Sequence, residues 1–305
     1  MVVDINMRKN SLKAWMLAAR PKTLTGAAVP VMIGGAYAWH IVADVSQIQW
    51  MALTLCFLFA FLMQIDANFI NDYYDCLKGR DNEERLGPLR ACQQGWVTMR
   101  AMRIAIAITS LLACLVGLPL ILYGGLEMIF VGIACMVFCF LYTTTLAQRG
   151  LGDLLVLLFF GIIPTVFTTY VSVPGELHNC ALMPWNLGVA TGLVIDCLLL
   201  VNNYRDIDND RNAGKLTLVV KIGRKNTEYL YMALVPVAII MVLIEFGFSS
   251  TNMILAFAIY LLHIETWSKM RRIGKGRELN MVLGKTARNI FVYGLLTTVI
   301  ILLGE

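Results

Sequence analysis

Nine apolar runs, each about long enough to cross a lipid bilayer, constrain this chain more than any other feature. One helical span needs about 20 mainly apolar residues, because a helix satisfies its own backbone polar groups where water is absent. Charged residues make up only 15% of the chain, against about 25% in soluble domains. The runs lie at about 24–42, 50–72, 104–122, 126–143, 153–172, 186–204, 229–247, 252–267 and 288–303. The sequence therefore predicts one all-α integral membrane domain, residues 1–305, with nine transmembrane helices.

The basic residues are sorted into alternate connections between these runs. All 25 Lys and Arg residues lie in the N-terminal segment or in the second, fourth, sixth and eighth connections along the chain. Cytoplasmic loops of membrane proteins are enriched in Lys and Arg. The sorting predicts that the N-terminus is cytoplasmic and that the C-terminus lies outside. It also explains the net charge of +5 without a nucleic-acid partner.

The N-terminal segment, residues 1–22, contains a short amphipathic stretch. Four apolar residues fall on one helical face: Leu12, Trp15, Met16 and Ala19. This pattern favours a helix lying in the cytoplasmic membrane interface. Arg20-Pro21 is expected to end it, because proline restricts the residue before it to extended backbone. A plain basic anchor is the alternative interpretation.

Two predicted spans end in matching polar stripes. Side chains three, four or seven residues apart lie on the same face of a helix. The second span carries Gln64, Asn68, Asn71 and Asp75 in such a register, and the sixth carries Asp196, Asn203, Asp206 and Asp210. Polar groups within apolar spans are costly and usually face a cavity or a partner. Asp66 lies off the first stripe, so it is expected to have an interhelical partner.

Both stripes reach basic connections that the charge sorting places in the cytoplasm. Carboxylate and amide oxygens are the ligands that Mg²⁺ prefers, and Mg²⁺ usually shares its shell with phosphate oxygens and water. Lys and Arg then contact the remaining phosphate charge. The pattern predicts that the two helix ends face each other and hold a diphosphate through Mg²⁺. The three histidines are widely separated in the sequence, which argues against a histidine metal site.

Several stretches together resemble the UbiA superfamily of intramembrane prenyltransferases, over nearly the whole chain. They resemble most the branch that acts on 1,4-dihydroxy-2-naphthoate in menaquinone synthesis. The stretches are Ala19-Arg-Pro-Lys-Thr-Leu24, Asn71-Asp-Tyr-Tyr-Asp-Cys-Leu-Lys-Gly-Arg-Asp81, Asn202-Asn-x-Arg-Asp-x-x-x-Asp210, Gly214-Lys-Leu-Thr-Leu-Val-Val-Lys-Ile-Gly223 and Leu279-Asn-x-Val-Leu-Gly-Lys-Thr-Ala-Arg-Asn289. Where many superfamily members have a third Asp in the first motif, this chain has Gly79, and its next acid is Asp81.

The resemblance implies a central cavity that opens to the cytoplasm and to lipid. It implies Mg²⁺-dependent transfer of a prenyl chain from polyprenyl diphosphate to dihydroxynaphthoate, with loss of the carboxyl group, in the inner membrane of a bacterium. No protein partner is expected. The implied metal ligands are Asn71, Asp75, Asp81, Asp206 and Asp210, with Asp72 as an outer ligand. The implied substrate contacts are Arg20, Lys22, Lys78, Tyr142, Arg149, Asn203, Arg205 and Lys215.

Two alternatives remain open from the sequence. The first is another aromatic acceptor on the same fold, such as 4-hydroxybenzoate, homogentisate or haem. The stretches that resemble the dihydroxynaphthoate branch argue against it, but the choice of acceptor depends on a few pocket residues. A different class, a divalent-cation or substrate transporter, would also place acids in membrane helices. Transporters, however, place broken helices near the midplane, whereas these acids lie mainly at helix ends beside basic connections.

Overall fold

The computed structural model describes residues 7–79 and 86–304, except for the side chains of Lys22, Thr143 and Thr144. The described residues form α-helices and no β-strand. The helices are α1 Leu12–Ala19, α2 Leu24–Ile41, α3 Trp50–Leu77, α4 Met99–Gly117, α5 Ile121–Gly124, α6 Glu127–Leu141, α7 Gly152–Val156, α8 Ile163–Ser172, α9 Trp185–Asn212, α10 Leu218–Phe246, α11 Ser250–Ile273 and α12 Leu279–Leu303. Two π-helical segments, Tyr142–Leu146 and Leu157–Ile162, follow α6 and α7.

Six helical segments within the described residues are long and apolar enough to cross a bilayer, so the chain is a multi-pass membrane protein. They are Trp50–Leu77, Met99–Gly124, Gly152–Ser172, Trp185–Asn212, Leu218–Phe246 and Leu279–Leu303. The other three predicted spans coincide with α2, α6 and α11, which are helical but are not among these six segments. Of the three, α6 is apolar but shorter. The all-helical membrane fold is therefore confirmed, while the count of nine spans stays a prediction.

Helix α1 has the bounds that its sequence predicts. It begins after Ser11, whose hydroxyl accepts a hydrogen bond from the Ala14 backbone N–H at 3.4 Å. It ends before Arg20, which has left-handed backbone angles. Trp15 packs edge-on against Phe69 of α3, with 5.6 Å between ring centroids. The helix is thus attached to α3 through part of its apolar face.

The buried Asp66 has the interhelical partner expected from the sequence. Its carboxylate accepts hydrogen bonds from Ser110 Oγ at 2.7 Å and from Thr109 Oγ1. Both hydroxyls belong to α4, whereas Asp66 belongs to α3. Because a buried charge without hydrogen bonds is costly, these contacts make Asp66 an anchor between the two helices.

Helix α9 lies at the centre of the bundle and touches the π-helical segment Leu157–Ile162 through glycine. A Cβ atom added to Gly161 would lie 2.5 Å from Gly188 O and 2.5 Å from Gly192 Cα. Small residues in this arrangement allow the backbones of membrane helices to approach closely. This glycine contact sets the position of α9, which carries one of the two polar stripes, relative to the chain before Gly161, which carries Asp153.

Candidate active site

One cavity of about 1270 Å³ runs through the bundle. Along α3 its wall extends from Cys56 to Asp75, which is about 28 Å at the helical rise of 1.5 Å per residue. Apolar side chains line most of this length, and polar side chains are concentrated at the Asp75 end. The cavity therefore offers an elongated apolar space that ends in a charged region, which we call the polar end.

The end of α3 contributes Asn71 and Asp75 to the polar end. Asp75 Oδ2 lies 2.8 Å from Arg90 Nη2, and the exposed fractions of these two side chains are 19% and 8%. Arg90 also lines the cavity. An arginine this close to a carboxylate forms a charge-assisted hydrogen bond that orients both groups. The first predicted motif therefore has a cation beside it, which the sequence analysis did not assign.

The end of α9 contributes Asn203, Arg205, Asp206 and Asp210. Arg205 binds Asp206 through two hydrogen bonds, Nε to Oδ1 at 2.9 Å and Nη2 to Oδ2 at 2.5 Å. Lys215 Nζ lies 2.9 Å from Asp210 Oδ1 and also lines the cavity. The ends of the two stripes thus line the same cavity, but Asn68 of the first stripe and Asp196 of the second do not line it.

Residues 86–92 connect the two helix ends. Asn280 of α12 donates its side-chain N–H to Leu86 O at 2.8 Å and accepts from Arg205 Nη1 at 2.8 Å. A Cβ added to Gly87 would lie 2.8 Å from Arg205 Nη2, so this loop passes directly over the guanidinium. Farther along, the same loop provides Arg90. It therefore links the Arg205 site to the Asp75 site.

Asp72 has a different position from the one expected of an outer metal ligand. It is buried and does not line the cavity. Its two carboxylate oxygens accept the backbone N–H groups of Ala91 at 2.9 Å and Cys92 at 3.0 Å. The reason is helical geometry, since adjacent residues lie about 100° apart around a helix of 3.6 residues per turn. Asp72 therefore anchors the loop that carries Arg90.

The predicted substrate contacts divide into two groups. Five of them line the cavity: Arg20, Tyr142, Asn203, Arg205 and Lys215. Two do not: Lys78, whose Nζ lies 6.0 Å from the Tyr74 ring centroid, and Arg149, which is exposed at the surface. Asp81 and the Lys22 side chain lie outside the described part of the structure.

A left-handed turn directs Arg20 into the cavity. Its φ is 51° and its ψ is 67°, a conformation that costs a non-glycine residue about 1–2 kcal/mol. Asn68 Nδ2 donates to Ala19 O and to Thr23 Oγ1, both at 3.0 Å. Gln64 Nε2 donates to Thr23 Oγ1 at 3.3 Å. The deeper members of the α3 stripe thus hold the turn that presents Arg20.

Five polar residues that line the cavity were not predicted from the sequence. They are Arg90, Asn202, Asn280, Arg288 and Asp153. Asn202 and Asn280 fall within the quoted family motifs, so the motifs were a usable signal. No sequence signal indicated Arg90, because the partner of one loop arginine among many basic residues cannot be predicted from the sequence.

Comparison with known proteins identifies the family. Residues 27–302 match the model of the UbiA prenyltransferase family. The chain belongs to this family. It is 34% identical over 241 residues to the 1,4-dihydroxy-2-naphthoate octaprenyltransferase of Escherichia coli, covering 73% of this chain and 72% of that protein. It is 36% identical over 233 residues to the Mycobacterium tuberculosis protein of the same name, covering 75% and 76%.

Solved structures of UbiA homologues share the fold. The apo structure of a homologue from Aeropyrum pernix K1 aligns with a TM-score of 0.69 and 15% identity, over 90% of this chain and 97% of that chain. The homologue from Archaeoglobus fulgidus bound to DMAPP and Mg²⁺ aligns with a TM-score of 0.60 and 15% identity, over 93% and 99%. At this identity the likeness establishes the UbiA fold alone.

The polar end of this UbiA protein suits a metal that is shared with a phosphate ligand. Asn71 and Asp75 on α3, and Asp206 and Asp210 on α9, are two pairs spaced four residues apart, so each pair shares one helix face. Within residues 7–79 and 86–304, no three His, Cys, Asp or Glu residues are grouped closely enough to hold a metal ion alone. Mg²⁺ is usually bound in this way, by few protein oxygens together with phosphate and water.

The balance of charge also favours such a ligand. The charged residues lining the described cavity are Arg20, Arg90, Arg205, Lys215 and Arg288 against Asp75, Asp153, Asp206 and Asp210. Their sum is close to neutral, whereas a diphosphate carries several negative charges. A bound divalent cation would make the local charge clearly positive, and a site with this many carboxylates would then attract phosphate.

Proposed function

We propose that this protein transfers a polyprenyl chain from polyprenyl diphosphate to 1,4-dihydroxy-2-naphthoate, with decarboxylation, to give demethylmenaquinol (the reduced form of demethylmenaquinone), CO₂ and diphosphate. The observation that carries the proposal is the single cavity, whose polar end has two oxygen-donor pairs beside cations and whose remaining length is apolar. A prenyl diphosphate has the same division into a charged head and an apolar tail. The names of the bacterial relatives support the aromatic acceptor.

The polar end binds and stabilises the diphosphate. Asn71, Asp75, Asp206 and Asp210 would hold Mg²⁺, whose positive charge would neutralise phosphate charge and so stabilise the diphosphate as a leaving group. Within the chain itself, Arg90, Arg205 and Lys215 are held beside these carboxylates by ion pairs. In the proposed complex these cations contact the phosphate oxygens. Donors that are already oriented stabilise the negative charge that grows on the leaving group.

The apolar part of the cavity protects the reacting allyl group from water. Phe138 and Phe159 line it with 4.9 Å between their ring centroids, and Tyr142 lies at the same wall. Aromatic faces attract cations, more strongly when water is excluded. These rings therefore stabilise positive charge on the allylic carbon and prevent its capture by water.

The proposed topology has nine spans, with the N-terminus in the cytoplasm and the polar end of the cavity facing the same side of the inner membrane. The sorting of the basic residues supports it. Single cysteines introduced at Lys215 and Glu176 should react with an impermeant thiol reagent from opposite sides. Reaction from the same side would contradict the topology.

The activity is tested by mass spectrometry of the products formed by the purified protein. Dihydroxynaphthoate, Mg²⁺ and a series of prenyl diphosphates should give the prenylated, decarboxylated naphthalenediol, in larger amount than 4-hydroxybenzoate gives its own product. A preference for 4-hydroxybenzoate would refute the proposed acceptor. Metal flux into proteoliposomes without any prenyl product would refute the transferase.

A further inference from the structure

Among the residues that the structure describes, two intramembrane carboxyl groups have an oxygen without a hydrogen-bond partner. Asp153 begins the Gly152–Ser172 span and lines the cavity, and Asp196 on α9 has an exposed fraction of only 7%. Oδ1 of each is buried and unpartnered. An unsatisfied buried acceptor costs about 1–3 kcal/mol. Ionisable residues inside membrane proteins mark functional sites for this reason.

Asp66 provides the comparison within the same bundle. It is also a buried intramembrane acid, yet Thr109 and Ser110 donate to its two oxygens. A carboxylate with a purely structural role is thus fully hydrogen-bonded in this fold. Asp153 differs because its Oδ1 accepts no hydrogen bond from any residue that the structure describes.

The two acids lie deeper in the bundle than the polar end. Asp196 lies ten residues before Asp206, about 15 Å deeper along α9 at 1.5 Å per residue. A Cβ added to Gly152 would lie 3.3 Å from Leu199 Cδ2, so Asp153 lies near the level of Leu199, about 10 Å deeper than Asp206. Both acids are therefore on the apolar side of the diphosphate site, the side on which the prenyl group extends.

The other charged or titratable groups around Asp153 come from three neighbouring elements. Tyr142, Asp196 and Lys221 interact electrostatically with Asp153. Tyr142 lines the cavity, while Lys221 Nζ contacts Arg149 O at 3.3 Å. Asp153 is the carboxylate of this group that both lines the cavity and has an unpartnered oxygen.

We propose that Asp153 binds an aromatic hydroxyl of the acceptor and takes its proton during prenyl transfer. The inference rests on the proposed function. As the carboxylate-bearing ring carbon bonds to allylic C1, the C1–O bond breaks and its electron pair leaves with the diphosphate. The hydroxyl proton passes to Asp153, and the O–H pair becomes a carbonyl bond. Loss of CO₂ then returns electrons to the ring, and the ring oxygen recovers the proton from Asp153.

The assignment is tested with Asp153→Asn, and Asp66→Asn is the control. Both variants replace an intramembrane carboxylate by an amide, but Asp153 lines the cavity and Asp66 does not. Asp153→Asn should lower kcat about 100-fold, which is within the usual range for loss of a general base. The KM for prenyl diphosphate should not change, because the diphosphate site is about 10 Å away. Asp66→Asn should keep kcat, and Asp153→Glu should recover part of the lost activity.

An acceptor whose hydroxyl beside the carboxylate is methylated separates catalysis from structure. Wild-type protein should react slowly with this ether, and Asp153→Asn should cause no further loss with it. Near-normal transfer by Asp153→Asn, or an equal loss with both acceptors, would overturn the assignment. If Asp153→Asn does not fold, the transfer rates of Asp153→Glu with dihydroxynaphthoate and with the methyl ether are compared in the same way. Failure of the wild-type protein to prenylate dihydroxynaphthoate at all would instead refute the proposed function.

Discussion

Replacing Gly161 with alanine should force α9 away from the neighbouring π-helical segment. The new Cβ would lie 2.5 Å from Gly188 O and Gly192 Cα, whereas ordinary contacts begin at 3.4 Å. The backbones must therefore separate by about 0.9 Å, since neither contact atom belongs to a side chain that can rotate away. Overpacking of this kind typically costs about 1–3 kcal/mol.

The same displacement should reduce activity, because α9 carries Asp206 and Asp210. A misplacement of about 1 Å in a catalytic site can cost about 100-fold in rate. The assay is thermal unfolding in detergent together with the rate of prenyl transfer. Gly175→Ala is the control, because a Cβ at Gly175 has nothing within 4 Å and Gly175 does not line the cavity. If Gly161→Ala is as stable and as active as Gly175→Ala, the close helix contact does not determine the geometry of the site.

Three other perturbations test the polar end. Asp75→Asn and Asp206→Asn should each lower kcat about 100–1,000-fold, because loss of one strong transition-state stabiliser has an effect of this size. Leu77→Ala, a change at an exposed residue of the same helix as Asp75, should leave kcat unchanged. Near-normal turnover of both Asn variants at saturating Mg²⁺ would contradict the site. Asn68→Ala removes the hydrogen bonds that hold the Arg20 turn and should raise the KM for prenyl diphosphate; an unchanged KM would show that the turn does not need them. Chelation with EDTA should abolish transfer without altering the circular dichroism spectrum, and Mg²⁺ should restore it; transfer that persists after complete chelation would exclude a metal requirement.

The sequence by itself determined the helices and the faces that carry chemistry. Apolar length decides which segments are helical in a membrane, because backbone groups there must be satisfied within the segment. Helical periodicity likewise placed Asn71 with Asp75, and Asp206 with Asp210. Both properties are local, so they can be read from neighbouring residues without knowledge of the fold.

Only the tertiary structure decided which groups meet across the chain. Arg90 pairs with Asp75 from 15 residues away, and Arg205 reaches Asn280 from 75 residues away. Asp72, next to a cavity residue in sequence, faces a loop instead, and the unpartnered oxygen of Asp153 becomes apparent only when its surroundings are known. These contacts depend on how helices with similar apolar surfaces pack together. Lipid is as apolar as those surfaces, so hydrophobicity does not determine which helices pack together. Close contacts at glycine and interhelical hydrogen bonds determine it instead.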